Sequence, residues 1–358
     1  VKGDPQSTVA RRLNAEYRRS IGKRIAFIAG VAILTFFLAG IAITLGSADL
    51  TIVEVYAAIG ARFFSWIPAP DPLVTTVVWE LRLHRVLFAI AAGFGLGIAG
   101  AVMQGILKNP LASPFTLGIS SAATFGAAVA LVLGAGFAGG EYLVILNAFV
   151  FTLLAAAIIY ALSRYRGISA ESMVLAGIAL MYLFSALTSF LQYIGSREQL
   201  QEVVFWIFGS LQRTSWPKVG VLTLVVALFT PYLLFRAWDL NAISQGDQVA
   251  TSLGVRVERS RTIHMFIASL LTASIICFTG TIGFIGLVAP HITRLAIGGD
   301  HRFLLPGAGV VGAALLLGAD SLARTILSPV ILPVGIMTAF LGIPFFLYLF
   351  MRSREGYW

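Results

Sequence analysis

The sequence predicts an all-α polytopic membrane protein of about ten transmembrane helices. Three observations carry that prediction. First, 58% of the 358 residues are hydrophobic and only 11% are charged, against about a quarter charged in soluble domains. Second, the mean hydropathy is +0.90. Third, charge-free runs near the ~20 residues that a helix needs to cross a bilayer recur along the whole chain. They lie at 25–45, 86–107, 111–140, 142–163, 172–196, 219–235, 262–293, 303–319 and 325–351. A transmembrane β-barrel would show segments of about ten residues alternating apolar and polar, and no stretch alternates in that way.

Span 1 is the run 25–45. A basic arm precedes it, with Lys2, Arg11, Arg12, Arg18, Arg19, Lys23 and Arg24. A full-length apolar run without a small-residue cleavage pattern reads as a retained anchor, not as a signal peptide. Residues 1–24 are therefore expected as a cytoplasmic arm, 25–351 as one ten-helix domain, and 352–358 as a cytoplasmic tail.

Span 2 (86–107) contains Gly95-Leu96-Gly97-Ile98-Ala99-Gly100, which fits GxGxxG. A dinucleotide site needs that pattern between a strand and a helix. Here it lies inside a membrane helix, where Gly93, Gly97, Ala101 and Gly105 fall four apart and make a smooth packing face. No GxxxxGK[ST] occurs, so ATP binding through a P-loop is excluded. Lys108-Asn109-Pro110-Leu111-Ala112-Ser113-Pro114 then ends span 2 and aims span 3, the run 111–140. Two prolines and an asparagine suit such a break.

Spans 4, 5 and 6 follow at 142–163, 172–196 and 219–235. The run 262–293 is too long for one helix, and Gly280-Thr281-Ile282-Gly283 near its middle favours a turn. It splits into span 7 (262–279) and span 8 (284–298). Spans 9 and 10 are 303–319 and 325–351. The single cysteine, Cys277, lies in an apolar run and reads as a small core residue. No Cys/His metal spacing occurs.

Charge sets the direction. With ten spans both termini share a side, and the basic arm and tail place that side in the cytoplasm. Of the 25 basic residues, only Arg62, Arg82, Arg85, Arg197, Arg213, Lys218 and Arg324 then fall outside. The net charge of +9 therefore reports topology and not nucleic-acid binding. Spans 2–5 and 7–10 would run in opposite senses, as inverted repeats do. Gly100 to Pro110 and Gly280 to Pro290 repeat one spacing in the two halves.

The charge-free cores offer no carboxylate for ion or proton coupling. Asp320 and Arg324 are placed at the outer end of span 9, within reach of water, and His291 is read as a structural hydrogen-bonder. The driving energy is thus expected from another subunit. The longest inner loop, Asn241 to Arg261, contains GDQVATSLGV (246–255). Val249, Leu253 and Ala250 would share one face of a short helix, with Asp247 near its N-terminus and Gly254 as its stop. That helix suits docking into a groove of a cytoplasmic partner; a solvated connector is the alternative.

Several segments occur in a telling order. They are NPLASP (109–114), FWIFGSLQRTSW (205–216), GDQVATSLGV, GTIGFIGLVAPHITR (280–294), DHRFLLPGAGVVGAALLLGADSLAR (300–324) and LPVGIMTAFLGIPFFLYL (332–349). With these, the chain resembles the FecCD permease family, the membrane subunits of type II ABC importers for iron-siderophores, haem and cobalamin. The resemblance runs from about Arg82 to the C-terminus and leaves out residues 1–24. It implies a BtuC-like ten-helix fold and two permease copies around one path, a homodimer or a pair of close relatives. It further implies two ATP-binding cassette subunits, a periplasmic or lipid-anchored substrate-binding protein, and ATP and Mg on the ATPase, with no cofactor or metal on this chain.

By the same resemblance, the loop 236–261 couples to the ATPase through Gly246, Asp247, Ala250, Leu253 and Gly254. Gln248 stands where the family usually has a second acidic residue. Asn109, Pro110 and Leu111 match the cytoplasmic gate. Arg82, Arg85 and Arg324 match arginines that receive glutamates of the binding protein, and arginine is suited to bidentate carboxylate pairing. The family's Arg-Leu-Pro-Arg reads Arg82-Leu83-His84-Arg85 here, which is expected to shift the helix start. The function so implied is ATP-driven import of a metal-chelate, iron-siderophore first and haem or cobalamin next, across the plasma membrane, with no covalent chemistry on the chain. An ion-coupled secondary transporter, a permease for an oxyanion such as molybdate or tungstate, and a non-transporting scaffold are the rival readings.

Overall fold

The computed structural model describes residues 5–46 and 50–352. Lys2 and the tail residues 353–358, with Arg354, lie outside the described residues. The chain opens on α1 (Pro5–Thr44) and the short α2 (Ile52–Gly60). α3 (Pro72–Val77) runs through a π-helical stretch (Val78–Leu83) into α4 (His84–Leu107). α5 (Ile119–Leu133), α6 (Tyr142–Arg166) and α7 (Ala170–Ile194) follow, and α8 (Arg197–Phe208) connects them to α9 (Trp216–Phe235). α10 (Ala237–Ser244) and α11 (Asp247–Ser252) form the next connection. α12 (Val257–Thr279), α13 (Ile285–Ile297), α14 (His301–Thr325) and α15 (Val334–Arg352) complete the fold.

Among the described residues, seven helices are long and apolar enough to cross a membrane, and α5, α13 and α15 are shorter apolar helices. Together they reproduce the ten expected spans in order. The split at 280–283 is real: α12 ends at Thr279, Gly280 adopts φ +72, and α13 begins at Ile285. The two halves repeat one pattern. α4 and α12 are each followed by a break and a short helix, of 15 residues in α5 and 13 in α13. At ~1.5 Å per residue those two reach only ~20 Å, short of the ~30 Å hydrocarbon core. Non-helical backbone therefore completes each crossing.

Such backbone is stable at membrane depth only when protein covers it. The break after α12 packs against the turn after α8 and the start of α15. The Ser210 amide donates to the Thr279 carbonyl at 2.7 Å, and the Thr281 hydroxyl donates to the Ile207 carbonyl. A Cβ at Gly280 or Gly335 would collide with the Trp206 or Phe208 carbonyl oxygen. Three interruptions in the chain thus satisfy one another.

α4 is the buried shaft of the molecule. Its glycines let other backbones approach: a Cβ at Gly93, Gly97 or Gly100 would strike the carbonyl oxygen of Gly312, Ala308 or Gly286. Gly105 faces the His301 ring. The GxGxxG stretch is a packing face for α13 and α14. At one end of the bundle, Asp300 joins three elements. It accepts from Arg24 of α1 at 3.2 Å, from Asn241 of α10 at 2.9 Å and from Arg302 of α14 at 2.6 Å.

Several boundaries differ from the sequence expectation. Residues 5–24 of the basic arm continue α1 without a break. Span 2 starts far earlier than residue 86. Asp71 caps it by accepting from the Leu73 amide at 2.7 Å, with Pro72 at the first turn. Histidine at position 84 keeps a donor where proline would remove it, so the helix runs on through Arg82 and Arg85. Of the run 111–140 only Ile119–Leu133 is helical, because Gly118 and Gly134 take left-handed geometry at its ends. Of the run 325–351 the helix keeps only the part from Val334, after Pro329 and Pro333. His291 packs edge-on against Phe345 and lies beside Phe346, and its Nδ1 has no hydrogen-bond partner. The contacts found for its ring are aromatic.

Candidate functional site

The residues singled out from the sequence gather at the two ends of the helix that contains α4. At its C-terminal end Lys108 adopts φ 50 and ψ 34, left-handed geometry that favours glycine or asparagine at a helix stop. The Asn109 side chain accepts from the Leu111 amide at 2.9 Å and sets a tight turn around Pro110. Asn109 and Leu111 are exposed, whereas Ala112, Ser113 and Pro114 are buried and anchor the start of the next span. The anchor is reinforced by Ser113 and Thr116, whose hydroxyls each accept from the other's amide, at 2.9 and 3.3 Å. The tip is thus exposed while its footing is buried.

α10 and α11 lie beside this tip. α11 is a six-residue helix bounded by Gly246 (φ +114) and Gly254 (φ +84). Val249 and Leu253 are 45% and 68% exposed, which leaves an apolar surface only partly covered by the described residues. Ala250 does not join them. It is fully buried against Ala242, Ile243, Val255 and Val257, so its place is in the footing of the helix and not in the docking face expected from the sequence. Position 250 lies only one residue from 249, about 100° around a helix, and packing on α10 turned that side inward. Gln248 is exposed.

Asp247 has unexpected partners. Arg261 of α12 grips its carboxylate with both terminal nitrogens, at 2.7 and 2.8 Å. Lys108 reaches the same carboxylate at 3.2 Å. Arg261 Nε donates to the Ile106 carbonyl at 2.9 Å, in the last turn of α4. The Arg261 hydrogen bonds hold the Asp247 carboxyl below the usual carboxylate range, with burial opposing and Lys108 helping. A depressed carboxyl contributes its stabilisation above its ordinary pKa and loses it as pH falls through the lowered value. The cluster is therefore fully formed near neutrality.

The other end carries Arg82 and Arg85. Both are buried, as are Arg324 and Asp320. Asp320 accepts from Arg85 at 2.7 and 2.9 Å and lies 3.1 Å from Arg324 Nε. Arg82 donates to the Ile43 and Thr44 carbonyls, and Arg324 to the Ala42 and Leu45 carbonyls. Two guanidinium groups thus satisfy the free carbonyls at the C-terminus of α1. Arg324 also lines a shallow hollow with Thr44, Leu45, Gly46 and Thr325. This corrects the expectation that Asp320 and Arg324 stand in reach of water and that no carboxylate is buried. Asp320 is 0% exposed and is held between two arginines.

The sequence missed His84 as an organiser. Its Nε2 donates to the Glu80 carbonyl and its Nδ1 meets the Thr214 hydroxyl at 3.1 Å. The one signal was its place between the two arginines. Among the described residues no cluster of three or more His, Cys, Asp or Glu could hold a metal ion.

Residues 31–352 match the FecCD transport family, and the chain belongs to that family. It is 43% identical to a protein of Methanocaldococcus jannaschii named as an ABC transporter permease, MJ0087, over 95% of this chain and 98% of that one. It is 40% identical to the hemin transport system permease protein HmuU of Yersinia pestis, over 78% and 84% of the two chains. It is 39% identical to the cobalamin import system permease protein BtuC of Halobacterium salinarum, over 78% and 74%. A solved structure described as an inward-facing metal-chelate type ABC transporter superposes with a TM-score of 0.80 at 31% identity, covering 91% of this chain and 99% of that one. The protein is thus a membrane permease subunit of the metal-chelate class of ABC importers.

Proposed function

We propose that this chain receives a metal-chelate from a substrate-binding protein and passes it to the cytoplasm, driven by ATP hydrolysis on a separate subunit. An iron-siderophore is the first cargo reading, with haem or cobalamin next. Two copies enclose the path, each copy meets one ATPase subunit, and ATP and Mg stay on the ATPase. Both termini face the cytoplasm, in keeping with the basic arm and the few basic residues at the opposite end.

The observation that supports this reading best is α11. A short helix with exposed Val249 and Leu253 stands outside the ten-helix body, at the same end as the exposed tip 109–111. A groove of a partner subunit would cover such a face. ATP-driven closure of that partner shifts the chain between states with the tip open or closed, because a partner biases an equilibrium through its differential affinity. At the far end, acidic side chains of the binding protein meet the hollow beside Arg324, and the buried Arg82 and Arg85 back it with positive charge from within.

Reconstitution tests the proposal. Proteoliposomes with the chain, its ATPase and its binding protein should take up a ferric hydroxamate, haemin or cyanocobalamin only with ATP on the ATPase side of the membrane. Uptake without the ATPase, driven by an ion gradient, would overturn it.

A further inference from the structure

We infer that the Lys108–Asp247–Arg261 cluster is the mechanical link between the ATPase-facing helix α11 and the tip at 109–111. The inference rests on the roles just proposed for those two elements. It adds which side chains join them.

Three features carry it. Arg261 is rigidly held: its side chain is 1% exposed, and its Nε is fixed to the Ile106 carbonyl at the end of α4. Its two terminal nitrogens leave in a fork onto Asp247, and a fork transmits orientation as well as distance. Asp247 is the first residue of α11, so a tilt of that helix must move its carboxylate. Lys108 shares that carboxylate, and it immediately precedes Asn109. The tip is thus tied to α11 through one salt bridge and to α12 through the α4 terminus.

The choice of residue at 108 points the same way. Left-handed geometry at a helix stop is least strained with glycine and tolerated by asparagine. A lysine sits there instead, and its ammonium reaches Asp247 at 3.2 Å. Both partners are partly exposed, at 34% and 41%. Exposed pairs contribute little to stability, so this pair is poorly explained as a structural tie. A contact that can break and re-form suits a moving part.

The test uses the assembled permease and ATPase in nanodiscs, with Leu111→Cys on a Cys277→Ser background as reporter. Labelling of Cys at 111 by a polar maleimide is timed without nucleotide and with a non-hydrolysable ATP analogue. The reporter chain should show a nucleotide-dependent change in labelling rate of about fivefold or more, the lower range of coupling between sites. Lys108→Asn keeps left-handed geometry but cannot reach Asp247. It should reduce the change to about twofold or less while leaving the melting temperature and ATPase binding unaltered. Lys108→Arg should restore it. A full response in Lys108→Asn would overturn the link. Asp247→Asn should lose the response too, though it leaves Arg261 without its counter-charge and can weaken folding. If the reporter chain itself binds no ATPase, or labels alike with and without nucleotide, the proposed function fails first and the link with it.

Discussion

The two ends of the α4 shaft solve the same problem, charge at the edge of an apolar bundle, in opposite ways. At the Arg82 end a carboxylate with no solvent exposure is held by two buried arginines. The guanidinium groups of Arg82 and Arg324 also close off the carbonyls at the end of α1. At the Lys108 end a partly exposed carboxylate is shared between one buried arginine and one exposed lysine. Burial strengthens electrostatic attraction and makes any unpaired charge costly, while water weakens both. The first arrangement fixes an end. The second leaves one partner free to let go.

The comparison can be broken first at the buried carboxylate. Asp320→Ala leaves Arg85 and Arg324 without their counter-charge and should cost about 3–5 kcal/mol, read as a large fall in thermal unfolding temperature in detergent. A small shift would mean that water reaches this end. The same logic governs the arginines. Charge reversal at Arg85 or Arg324 would set a carboxylate against Asp320 and destabilise the chain before docking could be read. Arg82→Gln is the cleaner probe. It removes a charged donor to the Ile43 and Thr44 carbonyls, should cost about 1.5–3 kcal/mol, and should weaken binding-protein capture while the ATPase still co-purifies.

At the other end the expected effects on stability are smaller. Ala250→Leu overpacks the footing of α11 and should cost about 1–3 kcal/mol, with faster proteolysis near 246–254 as the local readout. Leu253→Asp should change stability by no more than about 0.5 kcal/mol, as exposed substitutions do, yet separate ATP hydrolysis from transport. Equal loss of stability at Asp320 and at Leu253 would erase the distinction between a fixed end and a movable one.

Much of this molecule was legible along the chain. The break at 108–114, the split at 280–283 and the six-residue helix between Gly246 and Gly254 all stand where the sequence predicts them. Their causes are local: proline and asparagine stop a helix, and glycine takes left-handed geometry without strain. What escaped the sequence were partnerships. Arg85 and Asp320 are 235 positions apart, and Lys108 and Asp247 are 139 apart. Both members of each pair were placed at the correct end of their helices, yet nothing in their neighbours says which charge meets which.

The amino-acid sequence by itself determined the class, the span order and the position of the interruptions, because transfer of apolar side chains out of water acts residue by residue and needs no fold to be evaluated. Only the tertiary structure decided which charged groups are buried, that Ala250 turns inward while Leu253 stays bare, and that α12 and the α4 terminus both hold the start of α11. Those outcomes depend on how helices pack, since desolvation and hydrogen-bond geometry are properties of neighbours in space and not of neighbours in sequence.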